Sequence, residues 1–303
     1  MPGKSELLKH AGGAKHKKRL QAYGGELDAS QQVIVDLRSD TITKPTRDMR
    51  CAMRDAEVGD DAYAEDPTTA ELENKVARLL GKESGLFLPS GTMANVVALL
   101  THCWSRGSQV IVGDQSFLNR CMQPGISELG SINQKTIKNQ PDGTFNLLEL
   151  KELLRKPYVN WPVSTVVCVE NTHNYMGGRA LPMHWLEELY TLCEENDAIL
   201  HMDGARLINA SVALAISPAQ ITRYCNTSTF CLNKGLGSPC GSILVGSAET
   251  LMRACQVRKM LGGAMHQSGI IAAAGNYSID YYMGRINKDH ANARLIAKGN
   301  FIC

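Results

Sequence analysis

Short apolar runs of strand length recur between helical stretches through the middle of the chain. Most of them run straight into a polar or charged residue. Gln109–Val112, Ser164–Val169, Ala198–Met202 and Thr227–Leu232 are such runs, and Leu147–Arg155, Met183–Glu195 and Arg206–Leu214 between them carry helical periodicity. Apolar runs with little polar alternation are strands buried on both faces. Strands alternating with helices imply a mainly parallel sheet between helical layers, a three-layer α/β/α domain. Such sheets bind ligands beyond the carboxyl ends of their strands. Ser90, Asn171, Asp203 and Lys234 all fall at those ends, and their convergence marks one site.

The remaining elements follow from the same signals. Helices are expected over Thr46–Ala56 and Thr68–Leu80. A strand at Gly85–Leu88 should run through Pro89-Ser90-Gly91-Thr92 into a helix ending near Cys103. Leu118–Leu129 is weakly helical around Pro124, and Thr136–Lys138 reads as a strand. Ile243–Val245 is a strand, and Glu249–Met260 and Gln267–Lys298 are almost wholly helical. The carboxylates Glu57, Asp60, Asp61, Glu65 and Asp66 fit no calcium-loop spacing and read as solvated acids or helix caps, so no metal is expected.

Composition narrows the class. The chain has 303 residues, 44% hydrophobic and 20% charged, with net charge +2. That balance gives no nucleic-acid footprint, and no run reaches the roughly 18–20 apolar residues of a membrane span. The ten cysteines form no C-x-x-C pair, and Cys168, Cys231 and Cys240 lie in apolar runs, which suits reduced thiols of a cytoplasmic protein. Residues 1–32 are basic and interrupted by glycine. They read as a disordered leader, with a mitochondrial presequence as the alternative.

Lys234 follows an apolar strand and precedes Gly235-Leu236-Gly237-Ser238-Pro239. A buried ammonium is costly, so this lysine either snorkels to solvent or forms a Schiff base with an aldehyde cofactor. Pyridoxal phosphate needs such a lysine, an acid for its pyridine nitrogen and an anion cradle. Asp203 can be that acid, or a helix N-cap. The Ser90-Gly91-Thr92 turn at a helix start can be the cradle. Arg206 binds a substrate carboxylate through its fork or makes a surface ion pair.

Several longer stretches carry a family resemblance. They are Asp36-Leu37-Arg38-Ser39-Asp40-Thr41, Val58-Gly59-Asp60-Asp61, Pro89-Ser90-Gly91-Thr92-Met93-Ala94-Asn95, Glu170-Asn171-Thr172-His173-Asn174, His201-Met202-Asp203-Gly204-Ala205-Arg206 and Leu232-Asn233-Lys234-Gly235-Leu236-Gly237. Over residues 33–298 the chain resembles the low-specificity L-threonine aldolases, pyridoxal-phosphate enzymes of the aspartate-aminotransferase (type I) fold. The resemblance implies a retro-aldol lyase that cleaves threonine or allo-threonine to glycine and acetaldehyde, as a homodimer or homotetramer. It implies that Lys234 carries the cofactor, Asp203 faces its ring nitrogen, and Gly91 and Thr92 cradle its phosphate. Ser39 and Arg206 would surround the substrate carboxylate and the cofactor.

Three departures stand against full activity. Phe117 occupies the family position of a ring-stacking histidine; it can stack but holds no proton. His266 stands where the family has an arginine thought to support the phosphate. The resemblance stops near Lys298, before a small C-terminal domain that family members carry. The expectation is therefore a large domain at 33–298, a short tail at 299–303 and an absent or truncated small domain, with a cofactor-binding pseudoenzyme as the alternative function.

Overall fold

Among the described residues seven strands form one sheet in the order β1-β7-β6-β5-β4-β2-β3. The computed structural model describes residues 35–154 and 162–299; the expected leader and residues 300–303 of the expected tail lie outside them. The strands are β1 Ser84–Leu88, β2 Ser108–Gly113, β3 Asn133–Ile137, β4 Val163–Glu170, β5 Ile199–Gly204, β6 Thr227–Cys231 and β7 Ser242–Gly246. The helices are α1 Arg47–Arg54, α2 Pro67–Leu79, α3 Gly91–His102, α4 Phe117–Pro124, α5 Leu147–Leu153, α6 Met183–Glu195, α7 Leu207–Leu214, α8 Pro218–Thr222, α9 Ala248–Met260, α10 Gly269–Tyr281 and α11 Ile286–Gly299.

β3, β2, β4, β5 and β6 run parallel, and β7 lies antiparallel between β6 and β1. Side chains alternate across the sheet with period two. Phe87, Ile111, Val167, Leu200, Phe230 and Ile243 face one helical layer with Leu72 of α2, Leu186 of α6 and Ala272 of α10. Their neighbours Leu86, Leu88, Val110, Val112, Val166 and Leu244 face the other layer, with Val97 and Leu99 of α3, Leu118 of α4 and Ala254 of α9. This is the three-layer α/β/α arrangement expected from the alternation.

Local chemistry sets the helix starts. Thr46, Asp66, Ser90, Ser116 and Ser247 are side-chain N-caps, and Ser217 with Gln220 forms a capping box ahead of α8, a short helix not expected from the sequence. Beyond Pro124 the weakly helical stretch continues as one π-helical turn, Gly125–Leu129. Two loop acids are structural. Asp66 accepts from the N–H groups of Thr69 and Gly269, at 2.9 Å each. Asp61 pairs with the buried Arg258 at 2.8 Å, and Arg258 Nη1 donates to Phe87 O at 2.9 Å. Residues 35–39 belong to a separate unit, in which Arg38 and Asp36 form an ion pair. No helix among the described residues is long and apolar enough to cross a membrane.

Glu73 of α2 accepts a hydrogen bond from the Phe87 N–H at 2.7 Å. Burial raises its carboxyl from 4.5 to about 7 in spite of that bond. The folded state therefore holds the proton more tightly than the unfolded chain, so this contribution is best below the unfolded value and worsens as pH rises through about 7. Glu73→Gln keeps an acceptor for Phe87 and cannot ionise. It should leave the protein more stable than the parent at pH 8 by on the order of 2 kcal/mol, with no gain at pH 4. Urea unfolding at the two pH values checks this.

Candidate active site

Lys234 stands three residues past the end of β6 in a loop held by its own backbone. Gly237 N–H donates to Lys234 O at 2.9 Å, Ser238 N–H to Leu232 O at 3.0 Å, and Leu232 N–H to Gly241 O at 3.1 Å. The loop needs φ of +76° at Gly237 and +105° at Gly241, where L side chains are disfavoured. Thr43 Oγ1 donates to Lys234 O at 3.1 Å, so the lysine main chain is gripped from two sides. The half-buried side chain lines a recess with Ala205, Arg206, Cys231 and Gly235. Burial raises the Cys231 thiol, and the Lys234 charge opposes that rise. Among the described residues no carboxylate pairs with Lys234.

Asp203, on β5, is 2% exposed. Its Oδ1 accepts from the Ala205 N–H at 3.0 Å and its Oδ2 from Asn95 Nδ2 at 2.9 Å. It is not the helix cap; that position before α7 belongs to Arg206. The described ion pairs give Asp203 no cation. At Gly204 a Cβ would come within 2.2 Å of Thr229 O, so only glycine lets β5 and β6 stay this close here.

Glu170, at the end of β4, is the residue the sequence reading carried only as part of a motif. It is buried, and its pKa rises to about 7 through burial and then the Asp203 charge. Backbone N–H groups of Phe117 (2.8 Å) and Asn174 (2.9 Å) favour its anion. One side chain thus ties the start of α4 to the loop after β4. Asn171, also buried, accepts from the Leu181 N–H at 3.2 Å.

At the start of α3, Ser90 Oγ accepts from the Met93 N–H at 3.1 Å. Gly91 and Thr92 supply first-turn N–H groups that have no acceptor within the helix. A Cβ on Gly91 would lie 2.5 Å from Cys231 Sγ, so the helix start is packed against the strand that leads to Lys234. Phe117 opens α4, half-buried against the cluster of Val96, Leu99 and Met122.

Arg206 makes an ion pair rather than presenting an open fork. Its Nε and Nη2 donate to Asp40 Oδ2 and Oδ1 at 2.7 and 2.8 Å, and Nη1 donates to Asn174 Oδ1 at 3.2 Å. Asp40 lies 166 residues away in sequence, and no periodicity links the two. Ser39 closes the separate first unit. His266 is exposed, its Nδ1 3.1 Å from Asp60 Oδ2.

The fold and these strand-end residues define a class, which the comparisons bear out. The beta-eliminating lyase family model matches residues 36–300, so the chain belongs to that family and has the type I pyridoxal-phosphate fold. Within it, the chain belongs to the low-specificity L-threonine aldolases. It is 44% identical over 265 residues to the low-specificity L-threonine aldolase of Escherichia coli, covering 88% of this chain and 78% of that one. It is also 44% identical over 264 residues to an uncharacterised Caenorhabditis elegans protein, covering 87% of this chain but only 64% of that one's length. A solved structure from Listeria monocytogenes, assigned as a candidate L-allo-threonine aldolase, superposes with a TM-score of 0.70 at 25% identity, over 82% of this chain and 70% of that one.

The contact between Gly91 and Cys231 gives a direct test of the packing. Gly91→Ala should destabilise the protein by about 1–3 kcal/mol through overpacking, and Cys231→Ala in the same chain should restore most of that. Denaturant midpoints of the two single variants and the double variant read the coupling.

Proposed function

We propose that the chain is a pyridoxal-phosphate lyase that cleaves L-threonine and L-allo-threonine to glycine and acetaldehyde. The observation that carries this reading is a pair of opposite charges with no mutual or other ionic partner. Asp203 is a buried carboxylate without a cation, and Lys234 is a recessed ammonium without a carboxylate, among the described residues. Burying such groups unpaired is costly. One ligand with a basic ring nitrogen and an aldehyde satisfies both, so the residues present fit the cofactor.

In this reading Lys234 holds the aldehyde and Asp203 keeps the ring nitrogen protonated. When bound, the cofactor ring serves as the electron sink for the Cα–Cβ bond. Gly91 and Thr92 offer N–H groups at the positive end of α3 to the phosphate, and Phe117 offers a ring face. Asp40 orients Arg206, whose spare N–H groups serve the substrate carboxylate. Phe117 cannot take the β-hydroxyl proton, so that proton leaves through another acceptor. The same reading includes a homodimer or homotetramer, and glycine as product and ligand.

Acetaldehyde release from L-threonine and L-allo-threonine, with added pyridoxal phosphate, tests it. Release is expected from the parent and should fall to background in Lys234→Ala. Equal release from that variant would overturn the role of Lys234. No release from folded, cofactor-loaded parent would leave a cofactor-binding protein without the lyase activity. In that case Phe117→His is the variant that shows whether a proton acceptor alone is lacking.

A further inference from the structure

Asp203 belongs to a row of polar side chains, all buried but the half-buried His102, of which the proposed chemistry itself uses only Asp203. Each of three elements contributes two of them on one face. His201 and Asp203 are two apart on β5, and Thr227 and Thr229 are two apart on β6, directly in register with them. Asn95 and His102 are seven apart, two turns, on α3. Asn95 Nδ2 is 2.9 Å from Asp203 Oδ2, and Asn95 Oδ1 is 3.0 Å from His201 Nε2. His201 Nδ1 is 2.9 Å from Thr227 Oγ1, which is 2.9 Å from His102 Nε2.

The donors in this row run one way. A carboxylate only accepts, so Asn95 must present its NH₂ to Asp203 and its carbonyl oxygen to His201. His201 Nε2 must then carry the proton. Burial, then the nearby His102, lowers the His201 pKa to about 3, so the ring is neutral and Nδ1 accepts. Thr227 therefore donates to His201 and accepts from His102 Nε2–H. Burial also keeps His102 neutral, with a pKa near 4. Turning the Asn95 amide over would set oxygen against the carboxylate and N–H against N–H. The Thr227 methyl packs against Gly246, where a Cβ would lie only 2.8 Å from it, so only glycine fits beside this threonine.

A fold needs none of this for stability. Replacing both partners of a buried hydrogen bond by apolar groups of similar shape is nearly neutral. What a one-way row supplies is a fixed, fully satisfied donor for a single carboxylate oxygen. We propose that Asn95, His201, Thr227 and His102 form a directional hydrogen-bond relay that locks the Asp203 carboxylate, with His201 as a positioning residue for cofactor binding. This rests on the reading that Asp203 faces the ring nitrogen of pyridoxal phosphate.

Nitrogen-15 NMR of the full chain labelled at histidine, with and without pyridoxal phosphate, reads the relay directly. His201→Phe and His102→Phe assign the signals. Both rings should be neutral Nε2–H tautomers near pH 7. Asp203→Asn gives position 203 a donor, so Asn95 can rotate and the His201 signal should move toward the Nδ1–H tautomer. In equilibrium titration, His201→Phe should weaken pyridoxal phosphate binding by about tenfold or more, and His201→Gln, which retains an N–H donor, should recover most of it.

A cationic or Nδ1–H His201 in the parent overturns the relay, as does a His201 signal indifferent to Asp203→Asn. Unchanged cofactor affinity in folded His201→Phe overturns its positioning role. Unchanged affinity in Asp203→Ala overturns the underlying reading of Asp203 instead, and the tautomer data then stand apart from it.

Discussion

A carboxylate that is 2% exposed and faces no cation, as Asp203 does, dictates much of what surrounds it. Its two oxygens are met by a backbone N–H, a side-chain amide and, at 3.4 Å, the Thr229 hydroxyl, and these donors have to be held where they are. The backbone donor comes from the turn after Gly204, where absence of a Cβ lets β5 lie against β6. The amide comes from α3, the helix whose first-turn N–H groups at Gly91 and Thr92 have no acceptor within the helix. A change in the seating of α3 on the sheet would thus disturb Asp203 and the first turn of α3 together.

The two sides of the crevice are tied by contacts between residues remote in sequence. Glu170 holds the starts of both α4 and the loop after β4. Thr43 holds the main chain at Lys234, and Asp40 holds Arg206. Gly91 rests against Cys231. Each of these fixes a strand-end residue by something outside its own strand, which gives a site made from several loops the rigidity of the sheet.

The regular part of this fold was legible in the sequence because burial imposes period two on strands and 3.6 on helices. Met183–Glu195 is a helix with the same bounds in both, and the runs ending near Asp203 and Lys234 are β5, which carries Asp203, and β6, which leads into the Lys234 loop. Edges and irregular turns were less legible. The strand expected at Thr136–Lys138 is Asn133–Ile137, a half-polar edge strand with a weak apolar signal, and the π turn after Pro124 has no signature of its own. For the site, motif spacing brought out Lys234, Asp203, Gly91 and Thr92 as a set. It said nothing of the Asp40 pairing that occupies the Arg206 fork, or of Asn95 and His201 behind Asp203. Those depend on which faces of α3, β5 and β6 meet. The polar spacings, two on a strand and seven on a helix, were a signal in the sequence whose partners only the packed sheet supplies.

The most direct measurement of the central claim is covalent mapping of the cofactor site. The full chain would be incubated with pyridoxal phosphate, reduced with borohydride, digested and analysed by mass spectrometry. A single reduced adduct on the peptide containing Lys234, lost in Lys234→Ala and weakened in Asp203→Ala, is the expected result. An adduct spread over surface lysines, or none from folded protein, would contradict the account.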